Sequence, residues 1–224
     1  MPRTERVDIG DTVYHIINRA NARVQIFDTD KDYIAFEKVL TEATKRESMR
    51  ILAYTIMPNH WHLVLYPKQD GDLSRFMRWL TMTHTQRWHA THKTTGSGHL
   101  YQGRYKSFIC QTDNYFLQLV RYVERNALRA NLVKRAEEWR WSSIWRREKG
   151  MGEQKTILST WPIEVPKNYL SLVNSAQSEA EEEALRKAIV RGSPYGDESW
   201  KEETVKKFKL ESTVRGRGRP IKGS

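Results

Sequence analysis

The chain has 224 residues, 38% of them hydrophobic, including 8 Trp, 10 Tyr and 6 Phe, which suits one well-buried domain with an appendage, or two small domains, and excludes wholesale disorder. Its formal net charge of +11 points to an anionic partner, with nucleic acid ahead of a membrane surface. A single cysteine, Cys110, excludes an intrachain disulfide and a four-thiolate zinc site; with no apolar run near the ~20 residues of a membrane span and no signal-peptide stretch, the expected setting is the cytoplasm.

In chain order, residues 12–18 are rich in β-branched and aromatic side chains and read as a first strand. Residues 30–46 place Tyr33, Phe36, Leu40 and Ala43 at helical spacing. Residues 50–57 and 60–66 read as two strands joined at Pro58-Asn59, and so short a connection predicts an antiparallel hairpin. A second helix is expected over 73–91, a loop at 94–98 and a fourth strand over 104–111. Beyond the N-cap candidate Asp113, a long helix runs to about residue 130, with Phe116, Val120, Val123, Ala127 and Ala130 as its buried stripe. This order is that of an α+β, ferredoxin-like split βαβ fold, an antiparallel sheet with helices on one face. Residues 150–154 look like a linker and divide the chain into 1–150 and 151–224. The second part holds helix candidates at 178–190 and 199–209 and a basic tail, Arg215-Gly216-Arg217-Gly218-Arg219-Pro220.

Two elements carry candidate chemistry. In His60-Trp61-His62 the two imidazoles sit two apart on a strand, so they share a face and converge on one ion, while Trp61, Leu63 and Leu65 face the apolar layer. The same spacing is common by chance and also suits two histidines at the rim of a core. On the long helix, Gln118, Tyr122, Arg125, Asn126 and Arg129 lie off the apolar stripe, with Tyr122 stacked one turn below Asn126. An amphipathic helix with a solvated polar side is the plainer reading. Taken together, the elements offer a nucleophile, a Lewis-acid site and cations for a phosphodiester. A phenol suits a reversible ester because phenolate also leaves well. Two histidines and an amide leave an ion with open positions, which favours Mg²⁺ or Mn²⁺ over a closed zinc site.

The segments Tyr14-His15-Ile16-Ile17-Asn18-Arg19, Met57-Pro58-Asn59-His60-Trp61-His62-Leu63-Val64-Leu65 and Arg121-Tyr122-Val123-Glu124-Arg125-Asn126 resemble the single-tyrosine HUH transposases, most of all the REP-associated tyrosine transposases. Tyr101-Gln102-Gly103-Arg104-Tyr105-Lys106 and Trp141-Ser142-Ser143 add to the likeness, which spans about residues 13–145. The resemblance implies a ferredoxin-like domain that cuts single-stranded DNA beside imperfect hairpins, leaving a 5′-phosphotyrosine and a free 3′-hydroxyl, in DNA transposition. It assigns the divalent ion to His60 and His62, and Asn126 matches the third ligand, four residues after the nucleophile. That match selects Tyr122 over Tyr115, whose residue four along is Leu119. Many relatives have Pro after the Asn; Ala127 here predicts an uninterrupted helix.

The remaining DNA-contact candidates are Arg19, Arg104, Lys106, Arg125 and Arg129, with Arg121 on a different helix face. Arg104 and Lys106 alternate with Tyr105, a pattern for gripping a phosphate backbone or, equally, a charged edge strand. Arg215, Arg217 and Arg219 form an AT-hook-like segment for an A·T minor groove, or a basic tail attracting any nucleic acid. His89 and His92 read as a solvated helix face. The expected partner is single-stranded or hairpin DNA, with no membrane; monomer and homodimer stay open. The rival reading is a non-catalytic, domesticated hairpin-binding protein, which would be expected to have lost the tyrosine or a histidine.

Overall fold

A computed structural model describes residues 6–151 and 156–215. Its centre is one antiparallel sheet of β1 (Val13–Arg19), β2 (Met49–Met57), β3 (His60–Pro67) and β4 (Lys106–Cys110), in the order β2-β3-β1-β4. Helix α1 (Asp30–Arg46) connects β1 to β2, and α2 (Asp72–Thr91) lies between β3 and β4. This is the split βαβ, ferredoxin-like arrangement. The hairpin register places Met57 opposite His60, so the Pro58-Asn59 turn does pair β2 with β3.

Strand alternation sorts the core into two layers. Tyr14, Ile16, Trp61, Leu63 and Leu65 point to the face covered by Phe36 and Leu40 of α1 and Phe76 and Leu80 of α2. Buried Trp61 donates from Nε1 to the Tyr101 hydroxyl (2.9 Å), which is itself 2.6 Å from Nδ1 of His84, so the polar atoms in this layer are paired.

Val13, Val64, Phe108 and Cys110 point the other way, and a sheet apolar on both sides must be covered twice. The crossover helices account for one side; α3 (Asn114–Glu124) covers the other, through Phe116, Leu119, Val120 and Val123. Segments of the extension join it there, including α6 (Tyr169–Asn174) and α7 (Glu179–Arg191). Trp161 meets Phe116 edge-on at 5.5 Å and donates from Nε1 to the Leu52 carbonyl (2.8 Å). Tyr195 pairs with Cys110 at the edge of β4, closing part of that edge to other strands.

Three local expectations are corrected. The fourth strand begins at Lys106, so Arg104 stands in the bend before it. The long helix is not continuous: α3 stops at Glu124, Arg125 takes φ −80° and ψ −4°, and α4 (Asn126–Arg129) adds one further turn. The side chain of Thr55 on β2 donates to the Val123 carbonyl (2.7 Å), the acceptor that an unbroken helix offers to Ala127. Ala130 lies past that turn and is exposed, so it is not part of the buried stripe. Among the described residues, no helix is long and apolar enough to cross a membrane. Arg217 and Arg219 lie outside the described residues.

Candidate active site

The face of β3 that carries His60 and His62 packs against α3 and opens where the strand begins, at His60. There the sheet, the tyrosine helix and α7 bound a cleft of about 560 Å³. It gathers eight residues singled out in the sequence: Arg19, His60, His62, Arg104, Lys106, Tyr122, Asn126 and Arg129. Among the described residues no Asp or Glu lines it. Arg125 and Arg121 do not line it. The Arg121 Nε donates to the Leu172 carbonyl (3.1 Å), and Nε and Nη1 of Arg125 are buried without a hydrogen-bond partner. Arg215, at the end of the described chain, accepts from Arg191 through its carbonyl (2.7 Å) and is not at the cleft.

The rings of His60 and His62 stand 5.1 Å apart, and the Tyr122 ring is 6.2 Å from that of His62. Each imidazole is held by its Nδ1. Asn59 Oδ1 lies 2.6 Å from that of His60, and His15 Nε2 lies 2.8 Å from that of His62. Both Nε2 atoms are thereby left for the cleft. Burial, with Arg19 and Arg129 nearby, holds the His60 pKa down to about 3, and burial among neighbouring imidazoles pushes that of His62 well below the usual range. Both rings are therefore neutral near pH 7, the state in which imidazole ligates a cation.

The donor set fits a divalent ion of open coordination. Asn126 is buried in the same cleft, and its Nδ2 has no hydrogen-bond partner, so no protein group ties down the carboxamide. Among the described residues no group of three or more His, Cys, Asp or Glu is placed to hold a metal ion, so a third protein donor here would be the amide, which brings no charge. The Arg129 guanidinium sits 4.0 Å above the Tyr122 ring, a cation–π contact that places positive charge beside the phenol. Tyr115, the other tyrosine of α3, packs its ring against Tyr195 (5.2 Å) and is not among the cleft residues.

Sequence reasoning missed several members. Arg186, Ile189 and Val190 reach the cleft from α7, which no motif marks. His15 and Asn59 were inside the resembling segments, and His15 shares the strand face of Ile17, a signal that it points toward the histidine pair.

The family model for IS200-like transposases matches residues 9–126, just over half of the chain. The chain belongs to the IS200-like transposase family. In fold, this transposase is similar to a solved REP-associated tyrosine transposase bound to a REP hairpin, at 18% identity and a TM-score of 0.57, covering 75% of this chain and 94% of that one. A putative transposase from Deinococcus radiodurans is also similar, at 18% identity and a TM-score of 0.40, covering 55% of this chain and 96% of that one. No functionally curated protein matches the chain at a significant level. The family match spans β1 through Asn126 and so contains both histidines and Tyr122.

Proposed function

We propose that this transposase cleaves and rejoins single-stranded DNA next to hairpins, with Tyr122 as the nucleophile. The observation that carries the reading is the placement of the Tyr122 ring 6.2 Å from His62 in a cleft that no carboxylate lines among the described residues. The hairpin bound to the solved REP-associated relative supports the substrate class.

His60, His62 and Asn126 would hold Mg²⁺ or Mn²⁺, which when bound polarises a nonbridging phosphate oxygen. Arg19, Arg104 and Lys106 line the approach and position the backbone by its charge. Arg129, over the phenol, offsets the negative charge that develops on the tyrosine oxygen and the phosphate. The Tyr122 oxygen attacks phosphorus, the bond to the 3′ oxygen breaks, and that oxygen takes a proton while the phenol's proton passes to water. A 5′-phosphotyrosine and a 3′-hydroxyl result. Attack by a DNA 3′-hydroxyl on the same ester expels Tyr122 and reseals the strand without an external energy source.

The test is incubation of labelled, hairpin-bearing single strands from the DNA flanking the protein's own gene with Mn²⁺. A covalent protein–DNA adduct is expected, absent in Tyr122→Phe. An adduct of unchanged yield in Tyr122→Phe overturns the assignment of the nucleophile. Tight hairpin binding by the native chain with no adduct at all supports the non-catalytic rival instead.

A further inference from the structure

The catalytic cleft does not end at its rim. A second groove, of about 890 Å³, starts where the first stops, and the two share Asn18, Gln102, Gly103 and Arg104 as their common wall. It runs between the 98–105 loop and the outward side of α2, where Ser74, Arg78, Met82 and Gln86 recur every fourth residue. At the helical rise this stripe is about 18 Å long. Among the described residues no Asp or Glu lines the groove. The salt bridges of this helix join Arg75 to Glu47 and Asp72, and Arg87 to Glu42; Arg78, between them, is left without one among the described residues.

Gly103 stands at the saddle between the two grooves. Its φ is not in the left-handed region, and a Cβ there would meet no atom within 4 Å. Neither backbone conformation nor internal packing calls for glycine at this position. The open space above it leaves room for a chain to pass closely from outside.

We propose that a single-stranded DNA segment adjoining the scissile phosphate crosses Gly103 and lies in the α2 groove, with its phosphates on Arg78 and Arg104 and its bases against Met82 and Thr85. The proposal rests on the reading of the cleft as a DNA-cleaving site, and it adds where the flanking strand goes. An extended single strand suits the groove by charge, by its continuity with the cleft and by the bare saddle.

The experiment measures binding of fluorescein-labelled oligothymidylates to the full chain by anisotropy, with lengths of roughly 5 and 15 nucleotides, within the span of known single-strand sites. The longer strand is expected to bind the native protein more tightly. In Arg78→Ala that gain is lost, the short strand binds as before, and the slope of log K against log salt falls by about 0.7 for the longer strand. Gly103→Val is expected to lose the gain as well, with an unchanged thermal midpoint. The proposal is overturned if both variants bind the longer strand like the native chain, or if a duplex of equal length binds as tightly with the same dependence on Arg78. Binding is read without cleavage, so intact groove effects alongside absent adducts would sink only the cleavage reading.

Discussion

Nε2 of His15 lies 2.8 Å from Nδ1 of His62, joining two buried imidazoles on adjacent strands by one hydrogen bond. His62 offers its Nε2 lone pair to the cleft only when its own proton is on Nδ1, and His15 is the acceptor that keeps it there. The arrangement leaves Nδ1 of His15 buried and without a partner, a local cost that the fold carries. If His60 and His62 hold a cation as proposed, His15 is a positioning residue for that site.

Replacing His15 by Phe is expected to weaken Mn²⁺ binding by roughly 10–100-fold, as measured by the free Mn²⁺ signal in electron paramagnetic resonance. His15→Gln, which retains an acceptor, should recover part of that loss. If His15→Phe binds Mn²⁺ like the native protein, the tautomer of His62 is set by something else.

Arg129 has a buried Nη1 with no partner in addition to its contact with the Tyr122 ring. Arg129→Ala is expected to slow adduct formation by about 100-fold, the scale for removing one preorganised charge from a developing oxyanion. Oligonucleotide affinity should fall far less. Equal losses in rate and affinity would reassign Arg129 to strand binding alone.

Glu124, two residues past Tyr122, is fully buried and accepts from Ser143 Oγ (2.5 Å) and Tyr169 OH (2.6 Å), with burial raising its pKa. This carboxylate ties the tyrosine helix both to α5 (Ser143–Lys149) and to the extension. Tyr169→Phe removes one donor and should cost about 1–3 kcal/mol of stability in urea unfolding. No change in the unfolding midpoint would mean that the helix is held by apolar packing alone.

Buried His84 is held down to about 3 by desolvation. The unfolded chain therefore binds a proton near pH 6.5 that the folded chain refuses, and stability falls as pH drops from about 6.5 toward 3, by at most about 1.4 kcal/mol per pH unit for this group. His15 and His60, depressed to about 3 by the same cause, add to the slope when no cation is bound. Urea midpoints measured from pH 7 to 4 should decline steadily, and His84→Gln should flatten the decline. A profile unaltered by that substitution would place the acid sensitivity elsewhere.

Trp161 lies in the extension yet fills the layer over Phe116 and satisfies the Leu52 carbonyl beside the bulge in β2. Trp161→Ala should destabilise the whole chain by about 3–5 kcal/mol in one cooperative transition. Two separate transitions, with the 1–150 unit unaffected, would show that the extension folds independently.

Composition, turn residues and helical spacing located the four strands, the fourth begun two residues early, and the two crossover helices, because these are local consequences of which side chains need burial. The pattern also put His60 and His62 on one strand face, and Tyr122 one turn below Asn126, by spacing within a single element. The resemblance chose Tyr122 over Tyr115; the packing of Tyr115 against Tyr195 supplies the physical counterpart. The break at Arg125 was not legible: the Val123 carbonyl there is taken by Thr55, far away in the chain on another strand. What tertiary structure decided was everything held between elements: the reach of α7 into the cleft, and the grip of His15 and Asn59 on the two imidazoles. Such contacts join residues far apart in the chain, and no local spacing encodes a distance across a fold.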